Sequence, residues 1–252
     1  MSLEKYAGKV AVVTGASAGI GKSIAEHLVK KGVIVAGIAR REERVEELSR
    51  QLKNEKGSLH AFQCDLTNAD QIVSTFKSII TNLGPIYILV NNAGVYHVTG
   101  TIDGDLDKWR SMLDTNVMAL AICTREAISD MKTNKTKGHI VNINSYVGQA
   151  IIDIPGMEFY STTKHAVTAL TETVRLEINR EKLPIKITSI SPGYVKTEIH
   201  EIAYGKERAK KIAETTRYMS PEDITESVLY VLGTPDHVNV KEISILVQGQ
   251  IG

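Results

Sequence analysis

The sequence is poor in cysteine, and neither sign of charge is in excess. Two cysteines among 252 residues exclude a dense disulfide scaffold and favour a reducing compartment, for which the cytoplasm is the expectation. Thirty lysines and arginines against 29 aspartates and glutamates leave a net charge of +1. A nucleic-acid-binding protein usually carries a basic excess or a basic face, so we expect a small-molecule partner and no nucleic acid.

Long apolar runs are missing as well. No run reaches the ~20 residues that span a bilayer, and residues 1–9 lack the apolar segment of a signal peptide. We therefore expect no membrane span and a cytoplasmic protein. Hydrophobic residues nevertheless make up 42% of the chain, which is enough for the core of one large α/β domain.

Short apolar runs alternate with longer helical stretches along the chain. Strands are predicted at residues 10–14, 33–39, 58–64, 86–90, 139–144, 185–191 and 242–246. Helices are predicted at residues 19–31, 42–53, 69–82, 107–131, 160–180, 198–215 and 221–232. Apolar strands that alternate with helices indicate a parallel sheet covered on both faces. We predict a doubly wound, Rossmann-like, three-layer α/β/α fold that forms a single domain over residues 1–252, because no linker interrupts it.

A glycine-rich turn, T-G-A-S-A-G-I-G at residues 14–21, joins the first predicted strand to the first predicted helix. Glycines let the backbone approach a pyrophosphate closely, and the helix N-terminus offers free N–H groups to it. The alternative is a tight turn without a ligand, which the first position in a βαβ unit disfavours. The predicted cofactor-binding residues of this turn are Gly15, Ser17, Gly19, Ile20 and Gly21.

The end of the second predicted strand distinguishes the two nicotinamide cofactors. An acidic residue there would bind the adenosine ribose of NAD(H) and repel a 2′-phosphate. Ala39 occupies that position, and Arg40 and Arg41 follow it. Because guanidinium groups suit bidentate phosphate contacts, we predict NADP(H). The alternative is that both arginines are solvated residues at the start of a charged helix.

Tyr160 and Lys164 lie four residues apart at the start of a long predicted helix, which places them on one face. An ammonium ~4 Å from the phenol contributes up to ~4 kcal/mol at an effective dielectric of about 20, or about three pKa units. The phenol would then suit acid–base chemistry near neutral pH. The spacing also occurs by chance. Three companions favour a site: Ser145 after a strand, N-N-A-G at residues 91–94, and Asn116 within an apolar helix.

These motifs, in this order, resemble the short-chain dehydrogenase/reductase family over essentially the whole chain. They are completed by Pro192, Gly193 and Thr197. The resemblance implies that Tyr160 exchanges a proton with the substrate oxygen and that Ser145 holds this oxygen. Lys164 would bind the nicotinamide ribose and lower the pKa of Tyr160, while Asn116 would hold a water. Hydride passes directly between cofactor and substrate, so no metal is expected.

The resemblance also implies the remaining cofactor contacts. Asp65 would meet the adenine amino group with Leu66 beside it, and Tyr160 and Lys164 would face the nicotinamide ribose. Ala18 stands where some NADP-using relatives carry a basic residue, so Arg40 and Arg41 would hold the 2′-phosphate alone. The other predicted cofactor-binding residues are Asn92, Ala93, Gly94, Pro192, Gly193, Val195 and Thr197.

Two apolar segments favour a hydrophobic alcohol or ketone as substrate. Ile151, Ile152, Ile154, Pro155 and Met157 are expected to form part of the substrate wall, with plain loop packing as the alternative. Residues 194–218 are expected to form a mobile lid. A terpenoid such as farnesol or farnesal is the first expectation. A 3- or 17-ketosteroid, or carbonyl compounds in general, are the alternative, and a regulator that binds NADP(H) without turnover is a remote one. The two long helices resemble those that pair relatives, so a homodimer or homotetramer is expected.

Overall fold

The computed structural model describes residues 3–249. Residues 1–2 and 250–252, which belong to the predicted domain 1–252, lie outside the described residues. Within residues 3–249, seven strands form one sheet in the order β3-β2-β1-β4-β5-β6-β7, and every pair is parallel. The strands are β1 Val10–Thr14, β2 Ile34–Ala39, β3 Ser58–Gln63, β4 Ile86–Asn91, β5 Gly138–Ile143, β6 Ile185–Pro192 and β7 Glu242–Ile245.

Helices follow the strands along the chain. The first six are α1 Gly19–Lys30, α2 Glu42–Gln51, α3 Ala69–Leu83, α4 Leu106–Leu113, α5 Ala119–Asn134 and α6 Glu158–Arg180, and the last three are α7 Glu198–Tyr204, α8 Lys206–Thr215 and α9 Pro221–Leu232. A π-helical segment, Asp114–Met118, joins α4 to α5, and short 3₁₀ turns lie at Glu4–Tyr6 and Tyr146–Gly148.

Two apolar cores cover the two faces of the sheet. Side chains of α1, α2 and α9, such as Ile24, Val45 and Val228, pack on one face. Side chains of α3 and α5, such as Phe76 and Cys123, pack on the other. Burial of these surfaces stabilises the fold by roughly 25 cal/mol for each Å² of apolar area removed from water. The predicted doubly wound, three-layer α/β/α architecture is confirmed.

The strand order reverses direction between β1 and β4. The loop after β1 therefore turns toward β2, whereas the loop after β4 turns toward β5. In doubly wound sheets such a reversal opens a crevice at the carboxyl ends of the strands. The glycine turn follows β1, and the N-N-A-G segment begins with the last residue of β4, so both motifs reach this crevice.

The structure differs from the sequence-based prediction in two helical regions. The helix predicted at residues 107–131 is divided by the π-helical segment Asp114–Met118, in which Asn116 forms tertiary hydrogen bonds. The region predicted at residues 198–215 is two helices, because Gly205 adopts a φ of +80° and ends the first. Most other boundaries move by one or two residues, as helix and strand ends commonly do.

Among residues 3–249, no helix combines the length and the apolar character that a membrane span requires. Within the same part of the chain, histidine, cysteine, aspartate and glutamate side chains form no group of three that could hold a metal ion.

Candidate active site

The glycine turn after β1 is shaped by positive backbone angles and by a close neighbour. Gly15 has a φ of +70° and Gly19 a φ of +54°, a region that favours glycine. A Cβ on Gly15 would come within 2.9 Å of Asn92 Nδ2 and 3.0 Å of Ala93 Cα. A side chain on Gly21 would collide with Asn92 Nδ2 and with the carbonyl oxygen of Gly15. The turn and the N-N-A-G segment therefore lie against each other only because side chains are absent.

Thr14, the last residue of β1, fastens the two loops together. Its hydroxyl oxygen accepts hydrogen bonds from the backbone N–H groups of Asn92 and Ala93, both at 3.0 Å. The Asn92 amide in turn donates to the carbonyl oxygen of Thr14 at 2.9 Å. Thr14 was not predicted as a site residue, although its place directly before the first glycine marks it as a candidate.

Arg40 and Arg41 lie at the end of the crevice that is predicted to bind adenosine, which we call the adenosine end. Both Arg40 and Arg41 line it, and Arg41 Nη2 lies 3.5 Å from the Ser17 hydroxyl. The Asp65 carboxylate accepts hydrogen bonds from the backbone and hydroxyl groups of Thr67, at 3.0 and 2.9 Å. These bonds, together with the charge of Arg40, outweigh desolvation and lower the pKa of Asp65. Asp65 is thus held as an anion at the rim of the crevice.

The end of the crevice that contains Ser145, Tyr160 and Lys164, which we call the chemical end, is formed by α6 and the loop after β5. Tyr160 and Lys164 are both buried on the first turns of α6, and the ammonium lies 5.8 Å from the centre of the phenol ring. Lys164 Nζ donates a hydrogen bond to the carbonyl oxygen of Ile143 at 3.1 Å. Ser145, the second residue after β5, caps the 3₁₀ turn by accepting from the Val147 N–H at 3.4 Å.

Asn116 is fixed by three hydrogen bonds within the π-helical segment. Its amide donates to the carbonyl oxygen of Val95 at 2.9 Å and to the Thr163 hydroxyl at 3.1 Å, and its oxygen accepts from the Val95 N–H at 2.8 Å. The Thr163 hydroxyl also donates to the carbonyl oxygen of Tyr160 at 2.8 Å. The mid-helix asparagine thus has the partners that its position requires, and Thr163 links it to the helix turn that carries Tyr160.

Burial dominates the titration of both groups on α6. It raises the pKa of Tyr160, and only the interaction with Ser145 acts in the opposite direction. Burial also lowers the pKa of Lys164 to about 8. The predicted lowering of the Tyr160 pKa is therefore wrong for the protein chain itself. The reason is physical: the sequence places the ammonium one turn away, but the surroundings of the phenol disfavour its charged form.

The segment after β6 borders the crevice next to the glycine turn. Gly193 N–H donates to the carbonyl oxygen of Ile245 at 2.7 Å, and Val195 forms a parallel bridge with Met219. A Cβ placed on Gly19 would meet the Thr197 side chain at 3.2 Å. The chain from Pro192 onward is thus anchored to β7 and passes directly over the glycine turn.

The apolar wall differs in one residue from the prediction. Ile152, Ile154, Pro155 and Met157 line the crevice, whereas the Ile151 side chain is 75% exposed and does not. Of the predicted lid, the residues that line the crevice include Tyr194, Val195, Ile199, Ile202, Tyr204 and Ile212.

Tyr96, which the sequence did not single out, completes the chemical end together with Tyr204 of the predicted lid. The Tyr96 ring lies 5.0 Å from the Tyr160 ring, centre to centre, and its hydroxyl is 2.9 Å from the Tyr204 hydroxyl. His200 packs against Tyr194 at 4.5 Å and stacks on Tyr204 at 6.3 Å. Tyr96 follows the N-N-A-G segment by two residues, and this position is the only signal that could have indicated it.

One cleft of about 1090 Å³ joins the two ends. Two predicted site residues do not line it: Gly21 lies behind the glycine turn, and Asn116 is buried, with its side chain bonded to Val95 and Thr163. The predicted residues that do line it are Gly15, Ser17, Gly19, Ile20, Arg40, Arg41, Asp65, Leu66, Asn92, Ala93, Gly94, Ser145, Tyr160, Lys164, Pro192, Gly193, Val195 and Thr197.

The fold, the glycine turn and the tyrosine–lysine pair define a class of enzyme. The model of the short chain dehydrogenase family matches residues 9–207, and the chain belongs to this family. It is therefore an oxidoreductase that acts on alcohol or carbonyl groups. Among its relatives, farnesol dehydrogenase of Aedes aegypti is 46% identical, and the alignment covers 98% of this chain and 99% of the relative.

Two further proteins are similar over nearly their whole length. Dehydrogenase/reductase SDR family member 11 of Gallus gallus is 41% identical, with 99% of this chain and 100% of the relative covered. Among solved structures, the closed form of a serine dehydrogenase complexed with NADP⁺ superimposes with a TM-score of 0.88 at 30% identity, covering 96% of each chain.

Proposed function

We propose that this chain is an NADP(H)-dependent oxidoreductase that interconverts an alcohol and a carbonyl on a hydrophobic substrate, with farnesol and farnesal as the favoured pair. A single observation carries the proposal. Tyr160, Ser145 and Lys164 face the same cleft as Arg40 and Arg41, with the glycine turn between them.

The residues of the cleft fit a phosphorylated dinucleotide. The glycine turn leaves backbone open where a Cβ would intrude, and α1 begins at Gly19, so its N-terminus is available to a pyrophosphate. Arg40 and Arg41 would hold the 2′-phosphate, and Asp65 and Leu66 would hold the adenine. At the other end, a Cβ on Gly94 would stand 3.9 Å from Lys164 Nζ, so the missing side chain leaves room for a ribose beside this ammonium.

The side chains of the chemical end have complementary roles. NADP(H) supplies or accepts the hydride when it is bound. Ser145 would hold the substrate oxygen, and Tyr160, whose raised pKa keeps it protonated at neutral pH, would donate its proton to this oxygen during reduction. Lys164 would bind the ribose hydroxyls. Asn116, held by Val95 and Thr163, would position a water that connects Lys164 to solvent.

The cleft wall supports an apolar substrate. Isoleucine and methionine side chains of the loop before α6 and tyrosines of the lid line it. The 46% identity with a farnesol dehydrogenase over nearly the whole chain favours a terpenoid. The second candidate is a carbonyl reductase for bulkier ketones, including 3- and 17-ketosteroids, which the aromatic wall of Tyr96, Tyr194 and Tyr204 favours through its flat rings.

We propose that a single domain carries both the cofactor-binding and the substrate-binding residues. We propose further that the protein acts in the cytoplasm, because Cys64 and Cys123 are buried free thiols.

We also propose a homodimer or homotetramer that pairs through the outer faces of the two long helical regions. Leu113 and Met118 on the first, and Leu176 on the second, are exposed apolar side chains. Light scattering on the purified protein and on a Met118→Lys variant tests this assembly, and a monomeric wild-type protein would contradict it.

A substrate screen tests the activity. The purified protein is mixed with NADPH or NADH and with farnesal, 3- and 17-ketosteroids or small ketones, and cofactor oxidation is followed by fluorescence. We expect oxidation of NADPH with farnesal to exceed that with every other pair. Preference for a ketosteroid would favour the second candidate. Binding of NADPH without oxidation in any mixture would favour a non-catalytic regulator and contradict the proposal.

A further inference from the structure

The first residue of α7, Glu198, reaches across the cleft to α2 and to the residue before it. Its Oε2 lies 2.8 Å from Arg41 Nη2, and its Oε1 lies 2.8 Å from Arg44 Nη1. Each carboxylate oxygen therefore accepts from a different guanidinium group. The three side chains join the lid to the adenosine end of the cleft, although 157 positions separate Arg41 from Glu198.

The ion pair lies in the place that the proposed function assigns to the 2′-phosphate. The same Nη2 atom of Arg41 that donates to Glu198 is 3.5 Å from the Ser17 hydroxyl of the glycine turn. Thr197, the residue before Glu198, rests against Gly19 of that turn. An anion bound beside Ser17 would thus approach Arg41 from a position adjacent to the Glu198 carboxylate.

Glu198 is charged at neutral pH. Burial acts to raise its pKa, but the hydrogen bonds and charges of Arg41 and Arg44 outweigh burial, so the pKa lies below its usual range. A carboxylate and a phosphate both accept charge-assisted hydrogen bonds from guanidinium groups. They also repel each other, because both are anions. A phosphate beside Ser17 and the Glu198 carboxylate would therefore compete for the Nη2 group of Arg41, which lies near both.

We propose that Glu198 sets cofactor preference by competing with the 2′-phosphate of NADP(H) for Arg41. NAD(H) lacks this phosphate, so its binding leaves the Arg41–Glu198 pair intact. Glu198 thus lowers the affinity for NADP(H) and narrows its advantage over NAD(H). Arg44 keeps the carboxylate beside α2 when Arg41 turns to the phosphate. The inference rests on the proposed function, in which Arg41 binds the 2′-phosphate.

The test replaces Glu198 by glutamine, which keeps the shape and removes the charge. Dissociation constants for NADPH and NADH are measured by fluorescence titration of the purified protein without substrate. For Glu198→Gln we expect the NADPH constant to fall about three- to five-fold, the upper part of the range for a partly exposed ion pair, and the NADH constant to stay within about twofold. Glu201→Gln, an exposed carboxylate one turn along α7, is the matched control and should change neither constant.

Two outcomes would overturn the inference. NADPH binding that is unchanged or weaker in Glu198→Gln would mean that the carboxylate does not compete, or that it orders Arg41 for the phosphate. An equal change for NADPH and NADH would mean that Glu198 acts only on lid position. Arg41→Ala separates these outcomes from failure of the proposed function. If this variant weakens NADPH selectively, the phosphate site stands whatever Glu198 does; if it affects both cofactors equally, the site itself is wrong.

Discussion

The two ends of the cleft use positive charge in opposite surroundings. At the adenosine end, Arg41 and Arg44 are 42% and 46% exposed and form ion pairs on the surface. At the chemical end, Lys164 is 5% exposed, and its ammonium donates to a backbone carbonyl oxygen. Burial lowers the pKa of Lys164 to about 8.

This difference in burial distinguishes cofactor recognition at the adenosine end from proton transfer at the chemical end. Exposed guanidinium groups can exchange one anion for another at small cost, which suits the recognition of a phosphate. Buried groups respond strongly to each neighbouring charge, because the low dielectric strengthens every interaction. We therefore expect changes at the chemical end to affect turnover, and changes at the adenosine end to affect which cofactor binds.

The largest expected effect is at the buried end. Tyr160→Phe removes the proton that the substrate oxygen would receive, and general acid–base catalysis contributes about 10²–10⁴-fold. We expect kcat for NADPH-dependent reduction to fall by this factor while the dissociation constant for NADPH stays within about twofold. Tyr87→Phe, a partly buried tyrosine on β4 away from the cleft, should keep full activity. If Tyr160→Phe retained most of the activity, Tyr160 would not be the proton donor, and turnover would not depend on the chemical end as we expect.

The exposed end should show the reverse pattern. Replacing Arg40 and Arg41 together by alanine removes the charge-assisted hydrogen bonds to the 2′-phosphate, which at this solvent-accessible position are together worth roughly 1.5–3 kcal/mol. We expect the NADPH dissociation constant to rise about 10- to 100-fold and the NADH constant to change little. Arg50→Ala, on α2 and paired with Glu47, is the control. An equal loss for both cofactors would show that the arginines do not read the phosphate.

Burial as the cause of shifted titration can be tested outside the cleft. His139 on β5 is fully buried and bonds the Thr188 hydroxyl, and burial lowers its pKa to about 3. A neutral folded-state histidine contributes stability that is complete above pH 6.5 and is lost as the pH falls toward 3. We expect urea unfolding at pH 5 to show a loss of about 2 kcal/mol relative to pH 7.5, which His139→Gln would reduce. A loss that is the same in the variant would assign it to other groups.

The smallest effect concerns Lys164. Because its pKa is about 8, raising the pH to 9 would leave about one-tenth of the side chains protonated. If the ammonium binds the ribose, the NADPH dissociation constant should be steady below pH 7.5 and rise by up to about tenfold at pH 9. In Lys164→Met the constant should be high throughout and independent of pH. A wild-type constant that does not change between pH 7 and 9 would contradict this role.

The sequence predicts most of the fold because its pattern is local. The seven strands are β-branched or apolar runs, and the glycine turn and the prolines mark helix boundaries, so α9 is predicted residue for residue at 221–232. The π-helical segment could not be predicted, since it depends on tertiary bonds between Asn116, Val95 and Thr163. The break at Gly205 within residues 198–215 depends on the positive φ of this glycine, which the polar composition of the region does not predict.

The sequence indicates which residues form the site, but it does not predict how burial shifts their pKa values. Spacing places Tyr160 and Lys164 on one helix face, but it carries no information on how deeply the phenol is buried. The sequence therefore predicts the wrong direction for the shift of the Tyr160 pKa in the protein chain itself. The pairing of Arg41 with Glu198 and that of Tyr96 with Tyr204 link distant segments. Such contacts become visible only when the fold brings the segments together.

A crystal structure of the protein with NADP⁺ bound would show directly which residues of the cleft hold the cofactor. We expect the 2′-phosphate to lie against Arg40 and Arg41, the pyrophosphate to lie on the glycine turn, and the Tyr160 hydroxyl to face the nicotinamide ring beside Lys164. A cofactor that lies elsewhere, or a Tyr160 hydroxyl that points away from the ring with another side chain in its place, would contradict the proposed function.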